Sequence, residues 1–234
     1  MIGTISPSLG NLEFLRVLDL NKLEGPIPAS FQHLHKLNKL YLHNNLLSGR
    51  IPSSIFDHMT ALSEIILSVN QISGGIPLTV GKLVSLETLD FSSNHFSGAI
   101  PMTIGSLNNL TYLDLSINHF SGGIPITIGS LNNLIHLDLS VNQISGSIPS
   151  SIGKLSKLEI IHLNENRLGG SIPSSFSKLI SLRYCQMSDN KLTGSIPSSI
   201  GELPVLQELL INDNMLTGNI QYIITMKLYY YCRK

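Results

Sequence analysis

The chain has 234 residues, with 15 basic and 15 acidic side chains, so it carries no formal net charge, and only 13% of its residues are charged. That balance excludes a surface built to neutralise phosphate backbones, which leans on a clustered excess of Lys and Arg. No apolar run approaches the ~20 residues of a membrane-spanning helix, and two cysteines, Cys185 and Cys232, are too few for a disulfide framework.

The chain opens "MIGTISPSLGNL", the second half of a unit that recurs to its far end, and Met1 is not followed by a basic or strongly apolar signal region. The first complete unit reads "LDLNKLEG" where later ones read like "LDLSINHFSG", so two residues are missing from its turn. From there the period is regular. An asparagine follows each "L-x-L-x-x" at Asn45, Asn70, Asn94, Asn118, Asn142, Asn166, Asn190 and Asn214, stepping by 25 once and then by 24. Eight of the 11 prolines, Pro28 to Pro197, keep the same beat. The array covers residues 1–220 as about nine repeats in a single elongated domain, and residues 221–234 ("YIITMKLYYYCRK" at the end) form a non-repeat tail. With an irregular first unit and a last one that loses its proline, both ends are expected to expose apolar surface and strand edges, as in an excerpt of a longer protein.

Within a unit, Leu113-Asp114-Leu115 alternates apolar and polar, the period of a strand with one face buried. Identical strands recurring every 24 residues must stack in parallel about 4.8 Å apart, which makes a curved rod on the order of 40 Å along its inner sheet. The Asn just beyond each strand sits where the chain turns inward, and its amide is suited to backbone groups that the turn leaves unpaired. "SGGIP" and "SGSIP" supply a tight bend and a fixed φ. "PxxIGxL" reads as one short helical or 3₁₀ turn with Ile and Leu facing the core. Cys185 replaces a strand leucine and reads as a small buried hydrophobe.

Catalytic patterns come only as near-misses. Gly81-Lys82 and Gly153-Lys154 follow a glycine-containing stretch, but the phosphate-loop spacing is wrong, and Leu83 and Leu155 stand where a Mg²⁺-binding hydroxyl belongs. No nucleophile elbow, His-Glu-x-x-His pair or kinase signature is present, so no enzyme activity, cofactor or metal is assigned. His33 and His35 flank Leu34 in a polar connection, and His95 and His119 should stack in adjacent units without a carboxylate in their own column. Asp90, Asp114 and Asp138 form a column on the open sheet face. Three like charges about 5 Å apart favour protonation or a counter-ion, and a calcium or cationic-ligand site competes there with the plain default strand.

The pattern "LxxLxxLxLSxNxLSGxIPxxIGxL", with Gly-x-Ile-Pro eight times from Gly25–Pro28 to Gly194–Pro197, resembles the plant-type leucine-rich repeat of receptor-like kinases, receptor-like proteins and polygalacturonase-inhibiting proteins. The resemblance covers roughly residues 2–220. It implies an α/β solenoid, a right-handed coil with a parallel sheet on its concave face and short 3₁₀ or helical turns on its convex side. It also implies an extracellular or plasma-membrane-associated binding module for a peptide or protein ligand, with a co-receptor along a flank and no role for nucleic acid. The alternatives are a defence protein that blocks a secreted fungal polygalacturonase and, more remotely, an ice-binding repeat protein. The last would use a regular Thr array, for which Thr79, Thr103 and Thr127 are the candidates, ending at Ser151.

Function then rests on the letters that change. Residues 106–129 and 130–153 share 16 of 24 positions; packing fixes the core leucines, and among the differences Tyr112 against His136 lies on the concave face, whereas Phe120/Ile144 and Ile117/Val141 are apolar swaps that repack the body. Residues before, between and after the strand leucines face the concave side. Tyr112, His136, Ile160 and Tyr184, bordered by Asp114, Asp138, His162 and Gln186, are the candidate contact patch, because Tyr and His offer flat amphipathic area of the kind enriched at hot spots. Asn109-Leu110-Thr111 is the one N-glycosylation sequon and marks Asn109 as a candidate acceptor.

Overall fold

A computed structural model describes residues 3–218, and the 221–234 tail with Cys232 lies outside the described residues. Nine three-residue strands, from Val17–Asp19 to Glu208–Leu210, form one parallel sheet in chain order. Register is set by the leucines: Leu113 lies opposite Leu89 on one side and Leu137 on the other. These side chains are fully buried, as are Leu115 and Leu139 after the strands. One unit cannot hide such a stripe, whereas stacked units share a continuous core.

Behind the core runs a second parallel ladder where sequence reading expected only a bend. It comprises six strands from Gly3–Thr4 to His119–Ser121 and four from Ser145–Ser147 to Met215–Leu216. Between the two segments, Gln143 N–H donates to Phe120 O (2.9 Å) and Ser145 N–H to Gly122 O (2.7 Å), so the backbone pairing continues across the break in register. Stacking forces this ladder, since buried backbone groups in each "NxLSG" stretch find partners only in the neighbouring coil. Phe96 stacks on Phe91 and Phe120 with centroids 5.0 and 5.9 Å apart, filling the space between the two ladders.

The convex side carries eight 3₁₀ segments of five residues, Pro7–Asn11 to Ser198–Glu202, seven of them opening directly after a proline. The coil with the 25-residue step lacks one, and there Phe56 and Met59 fill the core instead. The glycine of "IGxL" is dictated by approach: a Cβ on Gly105 would lie 2.5 Å from the Thr127 carbonyl oxygen, and Gly81, Gly129 and Gly153 are equally tight against the next coil. This packing accounts for both Gly-Lys pairs without any phosphate chemistry. Thr79 and Thr127 donate their hydroxyls to the Ser53 and Met102 carbonyls of the preceding coil, while Leu78, Met102 and Ile126 are the exposed side chains beside them.

The asparagines join neighbouring coils at each turn. Asn118 Nδ2 donates to Ser116 O (3.0 Å) and Leu115 O (3.3 Å) in its own turn and to Phe91 O (2.9 Å) in the preceding coil. Its Oδ1 accepts from Phe96 N–H at 2.9 Å, also in the preceding coil. The same geometry holds from Asn45 to Asn214. Asn45, Asn70, Asn94 and Asn118 are buried, and Asn142, Asn166, Asn190 and Asn214 are half-buried. The shortened first unit has Leu23 in place of the asparagine after its left-handed Lys22, yet Leu23 N–H donates to Oδ1 of Asn45 from the next coil at 2.8 Å.

Each turn also requires the residue before the asparagine to be left-handed, even where that residue is β-branched: Val69, Ile117 and Val141 have φ of 58°, 52° and 53°. Left-handed backbone costs a side chain with a Cβ about 1–2 kcal/mol, less for Asn and Asp. Two variants read these opposing terms in thermal melts. Asn118→Ala should lower Tm by the equivalent of about 1–3 kcal/mol, since it leaves buried backbone groups unpaired. Ile117→Asn should raise Tm, because the side chain it removes is 52% exposed and contributes strain more than burial.

Candidate functional site

The open face is organised by the same register that buries the leucines. Tyr112 pairs with Thr88 and His136, His136 with Ile160, and Ile160 with Tyr184. Asp90, Asp114, Asp138, His162 and Gln186 form the parallel column two residues on. All are half-buried except Tyr184, which is exposed. The residues after the second leucine differ from expectation: Ser116, Ser140 and Ser188 are buried rather than displayed.

Beside Ser116 and Ser140, aspartates close the turn. Asp138 Oδ1 accepts from the Ser140 N–H at 2.8 Å and its hydroxyl at 2.6 Å, and Asp114 Oδ1 accepts from Ser116 N–H at 2.9 Å. Asp90 makes the same pair of bonds to Ser92. One carboxylate oxygen therefore closes the turn, and the other is left for the open face. On that face Tyr112 O–H donates to Asp114 Oδ2 at 3.3 Å, and His162 Nδ1 lies 3.1 Å from Asp138 Oδ2. The Tyr112 and His136 rings stack at 4.5 Å between centroids, and His162 meets His136 edge-on at 6.0 Å.

The structure thus brings Tyr112, Asp114, His136, Asp138 and His162 into one cluster. Ile160, Tyr184 and Gln186 continue the columns, but the Tyr184 hydroxyl donates to Gln207 Oε1 at 2.8 Å instead of joining the cluster. A second polar group went unread in the sequence: Lys39 Nζ lies 2.7 Å from Glu64 Oε1, and Tyr41 O–H donates to the other Glu64 oxygen. Lys39, Glu64 and Tyr41 occupy neighbouring positions of the two columns, which the period places, but their closing on one another is set by rotamers.

Electrostatics separates the two central aspartates. Burial, helped by the negative charges of Asp138 and Asp90, pushes the Asp114 carboxyl up to about 6 against the opposing Ser116 hydrogen bonds. Burial acts on Asp138 in the same direction, but the hydrogen bonds from His162 and Ser140 outweigh it and hold that carboxyl below its ordinary value. The Asp138 bond correspondingly raises His162, while burial lowers His136. The like-charge column is therefore relieved on the Asp138 side by an imidazole and left strained at Asp114.

Other sequence candidates lie apart from this cluster. His95 and His119 stack at 5.8 Å on the flank, lining a groove of about 360 Å³ with Ile117 and Glu165. His35 meets His58 edge-on at 5.8 Å. Asn109 is exposed, with Nδ2 donating to Val84 O at 2.8 Å. Cys185 is buried, its thiol pushed up to about 12. Among the described residues, no helix is long and apolar enough to cross a membrane.

Stacked coils with an asparagine clamp, a leucine-lined parallel sheet and 3₁₀ backs are joined by a direct match in sequence. Two family profiles, both described as leucine rich repeat, match residues 108–168 and 156–216, and residues 36–57 and 85–107, together about two-thirds of the chain. The chain belongs to the leucine-rich repeat family. It is similar to the LRR receptor-like serine/threonine-protein kinase GSO2 of Arabidopsis thaliana, at 47% identity over 58 residues, 24% of this chain and 5% of that protein. Among solved structures, it resembles the Arabidopsis receptor kinase HAESA in complex with the peptide hormone IDA and the co-receptor SERK1. That match has a TM-score of 0.93 and 37% identity over 97% of this chain and 39% of the other. The plant peptide hormone receptor RGFR1 in complex with RGF2 gives a TM-score of 0.87 and 35% identity over 98% and 41%. A plant ice-binding protein also matches, at a TM-score of 0.66 and 29% identity over 88% and 73%. This leucine-rich repeat chain thus has the architecture of plant receptor-kinase ectodomains and spans about two-fifths of the two solved receptor chains.

The strained carboxyl gives a pH signature. Its value in the folded chain, about 6, lies above the ordinary 3.8, so the protonated form favours folding, and that contribution is lost as pH rises from about 4 through 6. The loss amounts to at most about 3 kcal/mol. The Tm of Asp114→Asn minus that of the wild type should therefore become more positive between pH 4 and pH 7. A difference that stays flat over that window would contradict the assignment.

Proposed function

We propose that this chain is the ligand-recognition part of a plant receptor-like ectodomain that works outside the cell, and that its concave sheet binds a peptide or protein. The observation that carries this reading is the 37% identity and 0.93 TM-score to the HAESA ectodomain, whose structure holds a peptide hormone and a co-receptor. The face supplies what a peptide needs. Tyr112, His136, Ile160 and Tyr184 run as a ridge of flat or apolar groups, and Asp114, Asp138, His162 and Gln186 offer polar partners alongside. Aromatic rings held by stacking lose little conformational freedom on binding, which favours their use as anchors. A co-receptor would then approach one flank of the coil, and a glycan on Asn109 would sit at the turn before the Tyr112–Asp114 strand.

The test is selection of displayed linear peptides on the wild-type chain, followed by binding of the selected peptides to variants. Tyr112→Ala and Tyr184→Ala should each weaken binding by tenfold or more, the range of an interface anchor, with Tm unchanged. Peptides that bind both variants as tightly as wild type would place recognition elsewhere. Slowing of a secreted fungal polygalacturonase by the chain would instead favour the inhibitor class.

A further inference from the structure

We infer that Asp114, His136 and Asp138 form a binding site for a first-row transition-metal cation, with zinc(II) the best fit, on the concave face. Among the described residues they are the one group of three or more His, Cys, Asp or Glu side chains whose ligand atoms all lie within 4.8 Å of one another. Zinc bonds to imidazole nitrogen and carboxylate oxygen are about 2.0–2.2 Å, which places tetrahedral ligand atoms roughly 3.5 Å apart. Closing the group onto an ion therefore takes side-chain shifts of under about 1 Å.

The surrounding contacts hold the three groups in a ligating pose. Each carboxylate is fixed through Oδ1 by Ser116 or Ser140, which directs Oδ2 to the open face. Tyr112 covers one face of the His136 ring at 4.5 Å and limits its rotation. His162 lies 3.1 Å from Asp138 Oδ2 and acts as a positioning residue for that carboxylate. Outer partners of this type orient first-row metal ligands and tune their affinity. An ion would also relieve the crowding of negative charge between the two aspartates. Donor chemistry selects the metal: one imidazole with two carboxylates suits zinc, whereas calcium takes six to eight oxygens, which three side chains do not supply. Three protein ligands leave a coordination position open on the exposed side.

The aspartate column already suggests a cation in the sequence; what position alone does not show is that His136, 22 residues from Asp114 and in the next coil, joins Asp114 and Asp138 in place of Asp90. The site stands independently of the peptide reading, since it is measured on the chain with zinc chloride alone. Titration calorimetry should show one zinc ion per chain. His136→Gln and Asp138→Asn should each weaken it about 100-fold, and His162→Gln about 10-fold. The double variant His95→Gln/His119→Gln should bind as wild type, and calcium chloride at the same concentrations should give no binding. Should Asp138→Asn fail to fold, the ring resonances of the wild-type histidines decide: zinc must move His136 and leave His95 and His119 in place. Zinc affinity that survives in His136→Gln, disappears in the His95/His119 double variant, or is matched by calcium would overturn the assignment.

Discussion

The amide of one asparagine, donating to carbonyls of its own turn and of the coil before it while accepting an N–H from that same coil, is the contact on which the rest of the solenoid depends. Asn118 joins Ser116 and Leu115 to Phe91 and Phe96 with four hydrogen bonds. No hydrophobic contact provides that kind of registration, because burial is non-directional and leucines slide. The amide also enforces the left-handed residue before it, strongly enough that Val69, Ile117 and Val141 accept a conformation their branched side chains disfavour. Glycines such as Gly105 mark the other limit, where the coils approach too closely on the convex side to admit a Cβ.

With register held from within, the concave columns are released from any structural duty except closing their own turns. The aspartates divide the two tasks between their oxygens: Oδ1 caps the following serine, and Oδ2 faces outward among Tyr112, His136 and His162. A stabilising local bond and an exposed charged group thus reside in one side chain. This explains how "LDLS" serves both as the family's default strand and as the polar floor of the open face. It also concentrates negative charge, relieved at Asp138 by His162 and unrelieved at Asp114.

Much of this was legible in the sequence because a 24-residue period turns a linear pattern into a spatial one. Once Leu113 is placed opposite Leu137, the neighbours of Tyr112 and Asp114 follow without further information. Two features did not follow. The outer ladder, such as His119–Ser121 on His95–Ala99, arises from backbone pairing and has no alternating side-chain signature to announce it. The side-chain contacts within the columns, including the turn of Tyr184 toward Gln207 and the closing of Lys39, Tyr41 and Glu64 on one another, depend on rotamers that position alone does not fix. The burial of Ser116 and Ser140 was missed for the same reason, since periodicity assigns a residue to a face but not to the cap it forms there.

The central claim is that the framework and the concave columns are energetically separate. Native-state hydrogen exchange tests it most directly when a quadruple variant, Tyr112→Ser, His136→Ser, Ile160→Ser and Tyr184→Ser, is compared with the wild type. The amides that the asparagine side chains accept, those of Phe96, Phe120, Ile144 and Leu168, are the reporters. Unchanged protection at all four amides is the expected result. Loss of protection there would show that the exposed columns help to hold the coil and would contradict the division of labour on which this account rests.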